Sequence, residues 1–538
     1  MKKILIIIFA ICIVFSLNYL IGESVSSQEQ SMLRYTQAFP TNIDPAVGSD
    51  FSSTRALTVL YDTLVYPDEN GEPLPHVAHN WEVSDDGKTW IFYLREDVVF
   101  HDGSKLTAED IKFSMDRLLA IGEGWAFLFV DKVESAEVID GYTIQINLTE
   151  PFGPFLPLLY RFYILNKDLV MENFKDGEYG EFGDYGRDYL LYQDAGSGPY
   201  MVEEFPRAEH LKMVKFQDYW GYMAPKSPDI LMQIGTTEPI TVRTMMNRRE
   251  LEISDQWQSP EALTALERIE GIDIAYINLG GVFHYMIHNR KPPTDCVHFR
   301  RAILWAMDYN TLIEYIYPGY TQARGPVSSS IAGHDPNVFQ FQFDMDKARE
   351  ELEKSKYFNE LREHPLEIYW VSEVPIQERI ALLLQSNLME LGIDARVVRA
   401  PWLNFVDFMT DQEASPHLVP MFLPSSFPEA GAMLFDRYHS ASVRDTKQNE
   451  WLMDPEYDSM IEKALSILDF DERMEKYSEL QNYIVELAPT LFLLDDAVRH
   501  SYQEAYIDWP SARGEGIPVS GYEFDARWIE VHWDRKPR

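Results

Sequence analysis

Cysteine is nearly absent from this chain, which has two cysteines among 538 residues. Cys12 lies in an apolar N-terminal run, so removal of that run on export would leave only Cys296. A single thiol cannot form an intrachain disulfide, and the fold must therefore rest on packing. With 46% apolar residues, a chain of this length suits two or three packed bodies better than one ordinary core.

Positive charge is also scarce. Lysine and arginine total 47 against 86 aspartates and glutamates, which gives a net charge of −39. A surface with this balance repels the phosphate backbone of nucleic acids and the headgroups of anionic lipids. The sequence therefore argues against a nucleic-acid partner, and a solvated acidic surface is the simplest interpretation of the charge.

A long hydrophobic run is found only at the N-terminus, and no internal repeat or low-complexity linker follows it. Two lysines precede the apolar run Ile4–Leu17, and small residues come after it, which predicts a signal peptide over residues 1–27. The run is shorter than the roughly 20 residues of a membrane-spanning helix. An uncleaved membrane anchor is the alternative if the run extends to Ile21. Cys12 lacks the preceding small residues of a lipid-modified cysteine. We expect an extracytoplasmic protein, periplasmic or secreted.

The segment 57–118 contains the clearest local structure in the chain. Trp81–Ser84 and Trp90–Leu94 read as two strands around a turn in which Gly87 supplies a positive φ. Thr107 then begins a helix, and Asp110 in its first turn favours the positive end of the helix dipole.

The stretch Leu60–Ser114 closely resembles the signature region of the family 5 extracytoplasmic solute-binding proteins, which are peptide-, nickel- and oligosaccharide-binding components of ABC importers. Three further motifs support the resemblance. Phe39–Pro45 is similar to the family's Pro-x-x-x-Asp-Pro loop, Gly196–Tyr200 to its return strand, and Phe299–Asp308 to an amphipathic helix. The resemblance implies a two-lobed, periplasmic-binding-protein-like α/β fold with an extra domain and a ligand cleft between lobes joined by a hinge.

Strands and helices alternate after Asn289, which indicates an α/β sheet. Strands are predicted at Leu366–Val371 and Ile393–Val398, with the helix Ile376–Leu391 between them. The family topology implies a signal peptide at 1–27, a discontinuous lobe I core at 28–76, 195–283 and 495–538, an extra domain of lobe I at 77–194, and lobe II at 284–494.

Catalytic and metal-binding motifs are missing. The sequence has no nucleophile elbow, phosphate-binding glycine loop or His-Glu-x-x-His. Acidic residues are so numerous that many carboxylate pairs arise by chance, and such pairs alone do not indicate a glycoside hydrolase. His284 and His288 share one face of a predicted strand, but two imidazoles alone make a weak metal site, and two partly buried histidines are the simpler interpretation. We predict no catalysis, metal or cofactor, with a nickel or metal-complex binder as an alternative.

The resemblance places several residues in the ligand cleft. Trp402 matches a tryptophan that lines the pocket of peptide-binding relatives, Phe39 lies in the cleft loop, and Trp257 follows a probable strand that faces the ligand. When Phe427–Ala430 is laid on the family's aromatic-Pro-Asp-Pro-like turn, Ser426 takes the position of an aspartate that pairs with the ligand's α-ammonium. A neutral hydroxyl cannot supply that charge-assisted bond, which contributes about 1.5–3 kcal/mol against about 1 kcal/mol for a neutral one.

This departure favours a neutral, polyhydroxylated ligand stacked on Trp402 and hydrogen-bonded by Ser425 and Ser426, whereas peptide is the ligand that the family uses most often. Glu429 is an alternative source of the anion. The predicted ligand-binding residues are Phe39, Trp257, Trp402, Ser425, Ser426 and Phe427.

We therefore expect the solute-binding component of an ABC importer, a monomer that captures a peptide or an oligosaccharide by hinge closure. It would deliver the ligand to a membrane permease with its ATPase, because ligand contacts with both lobes favour the closed form. A ligand-sensing receptor or a chaperone without transport is a further alternative.

Overall fold

The computed structural model describes residues 32–37, 40–207, 209–372, 374–443 and 447–537, so the predicted signal peptide and Phe39 lie outside the described residues. The strands are β1 Met32–Thr36, β2 Val65–Pro67, β3 Pro73–Pro75, β4 Ala78–Val83, β5 Thr89–Leu94, β6 Val133–Asp140, β7 Thr143–Leu148, β8 Tyr200–Glu204, β9 His210–Lys215, β10 Ile230–Ile234, β11 Asp273–Ile287, β12 Thr321–Gln322, β13 Leu366–Val371, β14 Ala395–Ala400, β15 Leu418–Pro424, β16 Thr490–Tyr502, β17 Ile507–Asp508 and β18 Glu530–Val531.

The α-helices are α1 Phe51–Leu60, α2 Ala108–Ile121, α3 Phe155–Leu158, α4 Lys167–Glu172, α5 Arg187–Leu190, α6 Pro239–Asn247, α7 Pro260–Glu267, α8 Val297–Ala306, α9 Tyr309–Thr311, α10 Met345–Lys354, α11 Ile376–Glu390, α12 Trp402–Met409, α13 Ala430–Tyr438, α14 Pro455–Ser466 and α15 Phe470–Leu487. In the described ranges, none of them combines the length and the apolar character that a bilayer crossing requires.

One sheet forms the centre of what we call lobe I. Its strand order is β1-β10-β9-β8, in which β1 and β10 are parallel and the other neighbours are antiparallel. Leu33 and Tyr35 of β1 are buried, as the alternation of a strand with one face on the core requires.

A second sheet of lobe I has the order β4-β5-β7-β6 and is antiparallel throughout. Gly87 has φ +71° in the turn between β4 and β5, which confirms the predicted hairpin. At the start of α2 the Asp110 carboxylate accepts hydrogen bonds from the backbone N–H and the hydroxyl of Thr107, both at 2.9 Å, so the predicted helix start is also confirmed.

Lobe II is built on the sheet β12-β16-β11-β15-β13-β14. Within it β13 runs parallel to β14 and β15, and β11 runs antiparallel to β15. The strand predicted at Leu366–Val371 is present with the same ends, and the helix and the second strand that follow it are shifted by one or two residues. The buried apolar stripe of α11 packs on this sheet.

Two long strands connect the lobes. The pair β11 and β16 starts in lobe I, where Asp273 lies opposite Tyr502, and ends in lobe II, where Met286 lies opposite Thr490, with a register shift between Asn278 and Gly281. The sequence pattern predicts strands at Ile272–Asn289 and Thr490–Leu494. The first agrees closely with β11, whereas β16 continues to Tyr502 through polar residues that do not resemble a core strand. These observations confirm the two-lobed α/β fold.

Buried ion pairs tie distant parts of lobe I together. Both guanidinium Nη atoms of Arg117 in α2 donate to the Asp44 carboxylate, at 2.6 and 2.7 Å, and neither side chain is exposed. Arg55 of α1 donates through Nε to Glu523 at 2.9 Å, which fixes the C-terminal segment on the first helix. The first pair holds the loop that leaves β1, and this is the loop that the sequence assigns to the cleft.

Candidate ligand-binding site

The carboxyl ends of the parallel strands of lobe II lie at one edge of the sheet. Trp402 begins α12 directly after β14, and Ser425 and Ser426 follow β15 at the same edge. In lobe I, Ile253 pairs in parallel with Tyr35 of β1, so Trp257 follows the carboxyl edge of that sheet. Open α/β sheets bind ligands in the crevice outside these edges.

The lobes touch each other at two places. At the first, Arg379, in the first turn of α11, lies 3.7 Å from Glu261, in the first turn of α7. At the second, the Phe152 and Phe427 rings meet edge to face with centroids 6.3 Å apart. Both contacts cross from lobe I to lobe II.

A cavity of about 400 Å³ lies beside Ser426, between the two lobes. We call it the Ser426 cavity. It is lined by Phe127, Leu128, Asp131, Lys132 and Phe152 of lobe I and by Ser426, Phe427, Gly431, Ala432, Phe435, Asp436, Ala441, Ser442, Lys447 and Leu465 of lobe II. Phenylalanine rings and a few charged groups are the composition expected of a small-molecule site.

The cavity contains a carboxylate next to Ser426. The Ser426 hydroxyl donates to Oδ2 of Asp436 at 2.7 Å, and Asp436 is half-buried on α13. Ser426 itself is neutral, and Asp436, ten residues further on, supplies a negative charge beside it. Sequence reasoning missed Asp436, because only the turn between β15 and α13 brings it against Ser426.

Two lysines complete the charges of this cavity. Nζ of Lys132 lies 5.3 Å from the centroid of Phe152, and Nζ of Lys447 lies 4.3 Å from the centroid of Phe127. Burial lowers the pKa of Lys132, with Asp436 acting in the opposite direction. Within the described part of the chain neither lysine forms a salt bridge, so both are available to an anion.

The predicted binding residues divide into two groups. Ser426 and Phe427 line the Ser426 cavity and are largely buried, whereas the Ser425 hydroxyl donates to the Phe427 carbonyl and shapes the turn. Trp402 is 37% exposed and stacks on a neighbouring phenylalanine, and Trp257 is 65% exposed. Both tryptophans lie at the carboxyl edges of their sheets, outside the lining of this cavity.

The alternative that Glu429 supplies the anion for a ligand is wrong. Its carboxylate is fully engaged by Arg473, whose Nε and Nη2 donate at 2.7 and 3.0 Å, and by the Tyr477 hydroxyl at 2.7 Å. Glu429 is 1% exposed and acts as a structural partner of α15.

His284 and His288 contact different backbone groups, and neither nitrogen of His288 is free for a metal ion. Burial lowers the pKa of His284 to about 3, and its Nδ1 lies 2.9 Å from the Val282 carbonyl. Both nitrogens of His288 are engaged, since Nδ1 accepts the N–H of Arg290 at 3.0 Å and Nε2 lies 3.0 Å from the Gln412 carbonyl. The pair serves the packing of β11.

Two α/β lobes joined by a pair of strands and closed over a cavity define a periplasmic-binding-protein-like fold. The model of the family described as bacterial extracellular solute-binding proteins, family 5, matches residues 72–435. This chain therefore belongs to the family 5 solute-binding proteins, as the sequence resemblance indicated.

Known relatives match over most of their length. The chain is 27% identical to a probable D,D-dipeptide-binding periplasmic protein of Escherichia coli over 469 residues, which covers 85% of this chain and 86% of the relative. It is 24% identical to the E. coli dipeptide-binding protein, with 88% and 91% covered. A periplasmic binding protein of Helicobacter pylori in complex with the peptide STSA has a TM-score of 0.74 at 22% identity, with 94% and 100% covered.

Proposed function

We propose that this protein captures short peptides in the Ser426 cavity and delivers them, unaltered, to the membrane permease of an ABC importer. Relatives with dipeptide-binding names support the substrate class. The observation that carries the proposal is the Asp436 carboxylate held against Ser426, with Lys132 and Lys447 lining the same cavity.

A zwitterionic peptide matches these charges. Its α-ammonium pairs with Asp436, its carboxylate with Lys132 or Lys447, and its side chains pack on the phenylalanine walls. An oligosaccharide fits less well. A neutral ligand would remove water from these charged groups without offering an opposite charge in its place.

Closure is a population shift in this proposal. Lys132 belongs to lobe I and Asp436 to lobe II, so a ligand that contacts both stabilises the closed form, which the permease then recognises. We propose the domain boundaries given from the sequence, an extracytoplasmic location, and a monomer that works with a permease and an ATPase.

Isothermal titration of the purified protein with dipeptides, β-linked disaccharides and longer glucans tests the proposal. Dipeptides should bind, N-acetylated dipeptides should bind more weakly, and Asp436→Asn should weaken dipeptide binding by about ten- to a hundredfold, the value of one charge-assisted hydrogen bond. Asp346→Asn is the matched control, since Asp346 is 94% exposed on α10.

Binding of glucans alone would refute the peptide assignment. Equal affinity for free and N-acetylated dipeptides would show that Asp436 does not bind the α-ammonium group of the ligand.

A further inference from the structure

A second cavity, of about 240 Å³, lies on lobe I between the β2–β3 hairpin and the C-terminal segment that runs from Trp509 to Trp528. We call it the aromatic cavity, and it shares no lining residue with the Ser426 cavity. Its walls include the rings of Tyr66, Trp509, Tyr522 and Trp528, three of which are buried while Trp528 is 41% exposed at the opening.

The charged residues that line the aromatic cavity are all acidic: Asp68, Glu69, Glu515, Glu523 and Asp525. Three of these carboxylates are neutralised: Asp525 by Arg527, Glu515 by Arg513 and Glu523 by Arg55. The remaining negative charge has no lysine or arginine among the lining residues to balance it.

Glu523 contains an unpartnered polar atom at this cavity. The residue is 1% exposed, and its Oε1 accepts from Arg55 Nε at 2.9 Å. Its Oε2 is buried and has no hydrogen-bond partner in the described residues. A buried acceptor left unpaired is unfavourable by about 1–3 kcal/mol, and a further positive charge in the cavity would lower this cost.

We propose that the aromatic cavity binds a small organic cation that carries an alkylated ammonium group. Aromatic faces attract such cations, and a ring of this cavity already holds one, since the Arg527 guanidinium lies 4.3 Å from the centroid of Tyr66. The volume is below the 300–1,000 Å³ typical of drug-sized ligands, so the occupant is compact, of the size of choline.

Titration with choline and with its neutral isostere 3,3-dimethylbutan-1-ol tests the proposal, with the heat of binding and tryptophan fluorescence as readouts. Choline should bind saturably and at least about tenfold more tightly than the alcohol, because the two molecules differ in charge and hardly in shape. A saturating dipeptide should leave choline binding unchanged, since the two cavities are separate.

Trp528→Ala removes the exposed wall and should weaken choline binding about tenfold without affecting dipeptide binding. Tyr315→Ala is the matched control, since Tyr315 is 74% exposed on lobe II. If the Trp528 variant does not fold, Glu69→Gln at the exposed rim should weaken choline binding several-fold. No saturable binding, equal binding of the alcohol, or equal loss in the Tyr315 variant would overturn the proposal.

Discussion

The backbone N–H of Gly153 donates to the carbonyl oxygen of Leu465 at 2.7 Å, and this hydrogen bond joins lobe I to lobe II. A Cβ atom at position 153 would lie 2.0 Å from the carbonyl oxygen of Ile467 and 2.6 Å from Nη1 of Arg473. This arrangement of the lobes therefore has no room for a side chain at Gly153.

Gly153→Ala should oppose closure without unfolding either lobe. We expect peptide affinity to fall at least about tenfold, because the closed state is the one that the ligand stabilises. Small-angle scattering with saturating peptide should show a larger radius of gyration than the wild type, while the melting temperature without peptide stays the same.

Gly141→Ala is the control for the glycine change, since a Cβ there meets nothing within 4 Å. Unchanged affinity and scattering in the Gly153 variant would show that closure does not use this contact.

Asp44→Asn should destabilise the protein by about 3–5 kcal/mol, because it leaves the fully buried Arg117 guanidinium without its counter-charge. Urea unfolding measures this change. Asp97→Asn removes a partner of Arg95 in an exposed ion pair and should change stability by less than about 1 kcal/mol. A similar small change in both variants would mean that the buried pair contributes little.

Glu450 gives the protein a pH-dependent stability. Burial raises the pKa of this carboxyl to about 8, against which a 2.8 Å hydrogen bond from the Thr490 hydroxyl acts only partly. The unfolded chain loses this proton near pH 4.5 and the folded chain near pH 8, so the contribution of Glu450 to stability falls as the pH rises through this interval.

Glu450→Gln keeps a neutral group of the same shape and should therefore stabilise the protein at pH 7 by about 3 kcal/mol, with little effect at pH 4.5. Thermal unfolding from pH 4.5 to pH 8 tests this. The control Glu390→Gln changes an exposed carboxylate and should show no such trend. A stability difference that is independent of pH would contradict the assignment.

Ser426→Ala removes the hydroxyl that positions the Asp436 carboxylate. Because the charge itself remains, we expect dipeptide affinity to fall about fivefold, the value of about 1 kcal/mol for a neutral hydrogen bond, and thus less than in Asp436→Asn. Affinity equal to that of the wild type would show that the serine does not orient the carboxylate.

Single elements could be predicted from the sequence because their signals are local, whereas the two-lobed fold was implied by the family resemblance. The turn at Gly87 and the helix start at Thr107 each depend on neighbouring residues, and the structure contains both. The length of β16 could not be predicted, since its polar half is a strand only through its pairing with β11.

The site was less predictable, because its charges come together only in three dimensions. Asp436 and Ser426 are joined by a turn, and Lys132 arrives from the other lobe, so no short sequence pattern links them. Glu429 was a plausible ligand group from its position alone, and only the structure reveals that Arg473 already occupies it.

The chain returns to lobe I after it has formed lobe II, and this order affects when lobe I can finish folding. Arg55 near the start meets its buried partner Glu523 near the end, and β11 gains its second neighbour only when β16 exists. The first lobe therefore stays unfinished until almost the whole polypeptide has been synthesised. The long sequence separation between these partners makes the completion of lobe I a late step of folding.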